Sequence, residues 1–378
     1  MNPSTAPVVV AGYFPPPFHG QAVATERLAS LLEPARAVAR VSLQNARGLR
    51  MDGRPRLADA LAYVRERAAW GRALAARPGS TVLWASVSPQ PRGHLRDALL
   101  VLPLFPSTQR VLGVVHWGAF EALFARPWLR PSTRRLVDRL DGFVFLDDAL
   151  AAPCAPFIPP EKRLVVPNTV GDDVIATADE LAAKRADRRA RSTLRLLFLS
   201  NMIASKGYGD ALGAVARLHA RGVAVEATFA GAWPDAAARA AFEAAVRDDG
   251  LGAVVQHVGP VRERAAIRRL YLDADALLLP TYYPTEAQPL VLLEALACGT
   301  PLLTTRAGAI TGVFTDGVEG FFVPPRDPGT LAAAAERLTD ADRWTRASEA
   351  ARARFDARFS PDAVRRAWLA VLDAPRVR

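Results

Sequence analysis

Two α/β domains in succession, each a parallel sheet wound with helices, are predicted for this chain on three observations. Short apolar, β-branched runs alternate with longer Ala/Leu/Arg segments of helical period. The alternation breaks near residue 170 and restarts at 194. The length, 378 residues of which 50% are hydrophobic, suffices for two ordinary cores and excludes disorder and collagen-like repetition.

In chain order, the first domain takes strands at residues 8–11, 81–85, 110–116, 142–146 and 164–166. A helix-rich stretch laden with Asp and Arg, residues 171–193, then reads as a linker. The second domain takes strands at 194–200, 224–230, 254–258, 276–280 and 301–305. Residues 360–372 (SPDAVRRAWLAVL) carry an N-cap serine, a proline at the first helical position and an amphipathic pattern, and so read as a closing helix. The predicted division is an N-terminal Rossmann-like domain over 1–170, the linker, a C-terminal Rossmann-like domain over 194–358, and the closing helix and tail over 359–378.

Charge is unevenly spread. The formal net charge is +10, but residues 1–170 hold 21 Lys+Arg against 12 Asp+Glu while residues 171–378 hold 27 against 26. A basic first half suits an acidic partner such as a phosphate-rich ligand, nucleic acid or an anionic membrane surface. The two cysteines, Cys154 and Cys298, are far apart, which argues against a disulfide framework or a cysteine zinc site and fits a reducing cytoplasm. The N-terminus shows no basic region followed by a long apolar stretch. The longest apolar run, residues 98–106, is about half of what a membrane-spanning helix needs.

The richest segment is residues 276–299, ALLLPTYYPTEAQPLVLLEALACG: an apolar strand, a polar turn, and a helix with Pro289 suited to its first turn and Gly299 to its end. Loops at the carboxyl ends of parallel strands form binding crevices, and helix N-termini there offer free N–H groups to anions. Glu286 lies in the turn and Glu294 in the helix. Ionised carboxylates accept hydrogen bonds from vicinal hydroxyls, so the pair suits a hydroxyl-rich ligand. A second strand, loop and helix, LRLLFLS-NMIASKGY, carries Lys206, one of only three lysines beside Lys162 and Lys184. An ammonium there is a point charge for phosphate.

These segments resemble the C-terminal domain of family 4 retaining glycosyltransferases (glycosyl transferases group 1), and GYFPPPFHGQAVATERLA, VVHWG and VVPNTV are similar to that family's first loop, His-containing segment and domain end. The resemblance implies the GT-B fold: two Rossmann-like domains facing across a cleft, the first for the acceptor and the second for the donor, with a C-terminal helix crossing back to the first. It implies that Glu286 contacts the donor sugar, Glu294 the ribose and Lys206 the diphosphate, with Gln288, Pro289 and Leu290 lining the pocket. Gly20 would admit the diphosphate to the first loop and His116 would face the transferred sugar.

The chain departs from the family pattern at three places. Asn201 stands where many relatives have an arginine, the first-loop glycine pair is reduced to His19-Gly20, and Gly312 stands where a glutamate is common, with Arg306 nearby.

Each feature has a plainer reading. A Glu pair at this spacing is often just solvated helix, Lys206 an exposed loop lysine and His116 a satisfied strand-end histidine. The strand, turn, Pro289 and Gly299 around the pair favour the functional reading. His19 and Asn201 stay open between the two readings, and Tyr282 and Tyr283 read as packing or rim residues. Asp273-Ala-Asp275 matches a two-aspartate metal motif but precedes its strand, at the wrong end of the sheet, and no metal or other cofactor is expected. No G-x-G-x-x-G follows the first strand and no Walker loop is present, against a nicotinamide enzyme or NTPase.

The expected function is therefore transfer of a sugar, with retention, from a nucleotide diphosphate donor to a glycan or lipid-linked acceptor in cell-surface polysaccharide or glycolipid synthesis. The protein would be cytoplasmic, with peripheral contact to an anionic inner membrane face. The alternatives are a nucleotide-sugar epimerase of the same fold and an arginine-rich nucleic-acid binder. The last lacks any helix-turn-helix, zinc or aromatic RNA-binding pattern.

Overall fold

A computed structural model describes residues 6–16, 20–42 and 67–376. The chain divides into two compact units, Met1–Asn168 with Val364–Arg378, and Thr169–Ala363.

The first unit is a parallel sheet of β1 (Val8–Gly12), β2 (Val38–Ser42), β3 (Thr81–Trp84), β4 (Arg110–Val115), β5 (Gly142–Phe145) and β6 (Arg163–Val165), in the order β2-β1-β3-β4-β5-β6. Strands β1, β3, β4 and β5 are almost wholly buried, as continuous apolar runs must be when helices cover both faces. Helix α1 (Gly20–Leu32) lays Leu28, Leu31 and Leu32 on Val8, Val10 and Leu83. The amphipathic pattern expected of the C-terminal segment is present. Val364, Trp368 and Leu372 of the closing helix (Pro361–Asp373) enter this same core, and Arg110 donates to the carbonyls of Val371 and Leu372. The helix therefore returns to the first unit, as expected.

The second unit is a parallel sheet of β7 (Leu194–Leu199), β8 (Val225–Ala230), β9 (Val255–Gly259), β10 (Ala276–Leu279), β11 (Leu302–Thr304) and β12 (Gly320–Phe322), in the order β12-β11-β10-β7-β8-β9. This is the doubly wound Rossmann order, whose direction reverses between β7 and β10. The stretch read as a linker folds as α2 (Ala178–Ala190), opened by a capping box between Thr177 and Glu180 and buried through Leu181, Lys184 and Arg188. It belongs to the second unit because that face is packed rather than solvated.

All ten strands read from sequence are present, with ends shifted by a residue or two. Two were not read. Strand β2 is a half-exposed edge, VARVS, with Arg40 breaking its apolar run, and β12 is only three residues long.

Candidate active site

The reversal between β7 and β10 brings together two loops that lie 80 residues apart in sequence. After β7 the chain makes a short turn, Ala204–Lys206, and enters α3 (Tyr208–Ala220) through Gly207. Gly207 has φ +82°, and a Cβ there would run into the carbonyl of Pro280. Only glycine lets the two loops approach this closely. Tyr282 N–H donates to the Ser205 carbonyl at 2.8 Å, tying them together.

Lys206 Nζ lies 2.6 Å from Glu286 Oε2, which also accepts from Thr281 Oγ1 at 2.9 Å. Both side chains are largely buried, and the ammonium sits 4.9 Å from the centre of the Tyr283 ring. Glu286 Oε1 has no hydrogen-bond partner among the described residues. The carboxylate is thus oriented through one oxygen and open through the other. Gly308, φ +52°, holds the backbone of this loop from behind, since a Cβ there would meet the Glu286 carbonyl.

Helix α4 (Ala236–Asp248) and helix α5 (Arg264–Asp273) follow in the chain, and α6 (Leu290–Ala297) leaves the Glu286 loop. Pro289 is the N-cap of α6, one residue before the first turn that the sequence suggested, and the helix ends at Cys298 beside Gly299. Neither a capping side chain nor an acidic residue occupies its first turn, so its first N–H groups are left for a ligand. Gln288 is buried and Leu290 half-buried at this end.

Glu294 is placed differently. It is buried on α6, with Oε1 accepting from Arg264 at 2.9 Å and Oε2 from the Tyr271 hydroxyl at 3.1 Å. Arg264 also reaches Asp173 at 3.3 Å. Burial first, and then the neighbouring carboxylate, push the Tyr271 phenol far above its ordinary value, so it is always a donor here. Arg264, Tyr271 and Thr281 were not read from sequence. Thr281, just past the end of β10, and Arg264, at the start of the helix after β9, had only their strand-end positions to mark them.

Asn201 is exposed on the loop after β7. Tyr282 stacks under Arg326 at 4.5 Å, and Arg306 stacks on Phe322 at 4.1 Å and pairs with Asp316 at 3.0 Å. The Gly312 carbonyl is taken by Arg354 and Arg358. Asp275 sits at the amino end of β10, clamped by Arg191 at 2.7 Å, and Asp273 pairs with Arg269. Among the described residues no group of three or more His, Cys, Asp or Glu is placed to hold a metal ion. Lys162 donates to the Val137 carbonyl. Lys184 is buried against the carbonyls of Tyr271 and Cys298 and the Thr300 hydroxyl, and burial lowers it to about 8. Of the three lysines, Lys206 alone stands at the carboxyl end of the sheet. Cys154 and Cys298 are buried free thiols raised to about 12, chiefly by burial, and neither is a nucleophile at pH 7.

Two residues belong to the first unit. His116 follows β4; its Nε2 is buried without a hydrogen-bond partner among the described residues, and burial lowers the imidazole to about 4, so it is neutral at pH 7. Gly20 opens α1, and no described atom lies within 4 Å of a Cβ built on it. His19 lies outside the described residues.

Residues 193–341 match the family of glycosyl transferases group 1. The matched stretch lies within the second unit and contains Lys206, Glu286 and Glu294. The chain is 31% identical over 181 residues to a D-inositol 3-phosphate glycosyltransferase of Geodermatophilus obscurus, covering 46% of this chain and 40% of the relative. It is 29% identical over 280 residues to the glycogen synthase of Mycobacterium tuberculosis, covering 70% and 64%. The matched stretches span 21% to 40% of the length of the inositol-phosphate relatives. Among solved structures, Anabaena HepE in complex with UDP superposes with a TM-score of 0.74 at 14% identity, covering 97% of this chain and 99% of that one. Sucrose-phosphate synthase of Thermosynechococcus elongatus gives 0.73 at 17%, covering 97% and 98%. The fold is GT-B, with two Rossmann-like units. No helix among the described residues is long and apolar enough to cross a membrane.

Proposed function

We propose that the protein is a retaining hexosyltransferase of family 4, cytoplasmic, that moves a sugar from a nucleotide diphosphate donor to an acceptor hydroxyl in polysaccharide or glycolipid synthesis. The observation that carries this reading is the Lys206–Glu286 pair at the β7/β10 reversal of the group 1 domain, with Glu286 Oε1 left open. UDP-sugars are the first donors to try, since HepE was solved with UDP and with UDP-glucose.

The residues divide the work by chemistry. An ammonium has three donors and Glu286 takes one, so Lys206 keeps two for the departing diphosphate. The uncapped start of α6, lined by Gln288, Pro289 and Leu290, adds N–H groups to the same anion. Asn201 supplies a neutral amide to it. Glu286 Oε1 accepts from a sugar hydroxyl, and Glu294, held by Arg264 and Tyr271, accepts from the ribose hydroxyls. Gly20 leaves room at the start of α1 for diphosphate oxygens. His116 offers an uncharged imidazole to a sugar hydroxyl and carries no extra proton at pH 7.

In the same-face displacement, the acceptor oxygen bonds to the anomeric carbon as the bond from that carbon to the phosphate oxygen breaks. The acceptor proton passes to the departing phosphate oxygen, which leaves the nucleoside diphosphate. Positive charge at Lys206 lowers the cost of that anion. Transfer from UDP-glucose and related donors, compared between the parent protein and Lys206→Ala and Glu286→Ala, tests the reading. Near-complete loss in both folded variants is expected, and full activity in either rejects the site. Conversion of the donor sugar with no acceptor present would make the protein an epimerase instead.

A further inference from the structure

Two donors of different kinds meet on one oxygen of Glu286. Lys206 reaches Oε2 at 2.6 Å from a flexible four-carbon stem, and Thr281 reaches it at 2.9 Å from a short, β-branched side chain. The Lys206 side chain keeps 17% exposure, whereas Thr281 is fully buried. The Thr281 hydroxyl has one proton and two acceptors within reach, Glu286 Oε2 and the Ser205 carbonyl at 3.2 Å. The Ser205 carbonyl already accepts from Tyr282 N–H at 2.8 Å, and a carboxylate is the stronger acceptor, so the proton goes to Glu286. In turn, Thr281 Oγ1 accepts from Tyr283 N–H at 3.2 Å.

The threonine is itself fixed from the neighbouring strand. Pairing between β10 and β11 ends at Leu279 and Thr304. Past that point side chains continue the link. Thr304 Oγ1 donates to the Leu279 carbonyl at 2.6 Å, and Thr305 Oγ1 donates to the Thr281 carbonyl. Both threonines are buried. A line of hydrogen bonds therefore runs from Thr305 through Thr281 to Glu286, and it passes through no exposed or flexible side chain before the carboxylate.

We propose that Thr281 is a positioning residue for sugar transfer: its hydroxyl holds Glu286 Oε2 in place while Lys206 turns its charge to the diphosphate, so that Oε1 stays aimed at the sugar. The inference rests on the donor-site reading given above. A diphosphate and a carboxylate compete for one ammonium, and a long stem lets the ammonium move toward the anion of higher charge. With Lys206 as the sole anchor, gripping the diphosphate would loosen the carboxylate at the moment when it must hold the sugar. Thr281 does not follow the ammonium, because β-branching and the Tyr283 N–H fix its rotamer. Having no exposed surface, it touches no substrate and acts through Glu286.

Calorimetric titration of the full chain with UDP and with UDP-glucose tests it. Thr281→Val removes the hydroxyl at nearly constant shape and should weaken UDP-glucose about tenfold, the scale of one hydrogen bond to a charged group, while leaving UDP unchanged. Thr281→Ser, which restores the hydroxyl, should bind both as the parent does. In a Glu286→Ala background, Thr281→Val should add no further loss. Equal weakening of UDP and UDP-glucose, or a tenfold loss that persists without Glu286, would make Thr281 a structural residue and overturn the proposal. UDP-glucose binding that is lost in Glu286→Ala and unchanged in Thr281→Val would overturn the positioning role alone. A parent that binds neither nucleotide would reject the donor-site reading and this inference with it.

Discussion

The two ends of β10 each carry an acid beside basic groups, and the contrast between them separates structure from chemistry. At the amino end, Asp275 is fully buried and saturated. Arg191 grips both of its oxygens at 2.7 Å, the Arg195 N–H donates at 2.7 Å, and Arg188 lies 3.5 Å away. At the carboxyl end, Glu286 has one oxygen engaged by Lys206 and Thr281 and the other open. A saturated carboxylate has no capacity left for a ligand, and its role is to fasten α2 to the sheet. A half-engaged one is oriented and still able to bind.

The largest effect should therefore appear where no ligand binds. Asp275→Ala removes the acid that Arg191 and the buried Arg188 share and leaves Arg191 only the exposed Asp187, which should cost about 3–5 kcal/mol in urea unfolding. A protein as stable as the parent would show that the clamp is ornamental.

Next comes the open end. Lys206→Ala should lower turnover about 100- to 1,000-fold, the scale for losing one preorganised donor to a developing anion, while the melting temperature hardly moves. A large stability loss with unchanged turnover would reverse the comparison.

Glu294 lies between the extremes, with both oxygens engaged by side chains that leave it oriented. Tyr271→Phe should weaken UDP binding about tenfold by calorimetry, the value of one hydrogen bond to a charged group. Unchanged affinity would place Glu294 with Asp275 as a structural acid.

At neutral pH the smallest effect is that of His116. Its folded value, about 4, lies below the ordinary 6.5, so between those pH values the unfolded chain binds more protons and stability falls as pH falls. His116→Gln should flatten the melting temperature between pH 6.5 and 4. An equal acid slope in the variant would show that the imidazole is solvated.

Much of this was legible in the sequence because it is local. Continuous apolar runs marked the buried strands, and Pro289 and Gly299 bracketed the α6 helix within a residue. Glu286, Glu294 and Lys206 were found through their strand-loop-helix settings and the family resemblance. Arg264 and Tyr271 were not, since nothing in their own neighbourhood distinguishes them from the other residues of an Arg-rich amphipathic helix.

The sequence by itself determined two parallel α/β domains, the closing helix and which loops carry the acids and the lysine, because periodicity, caps and turn residues act over a few positions. Only the tertiary structure decided that β10 lies against β7, that Lys206 therefore meets Glu286, and that Asp275 and Glu294 are occupied where Glu286 is open. Strand order is set by packing among distant segments, and the free valence of a side chain depends on every neighbour that packing brings to it.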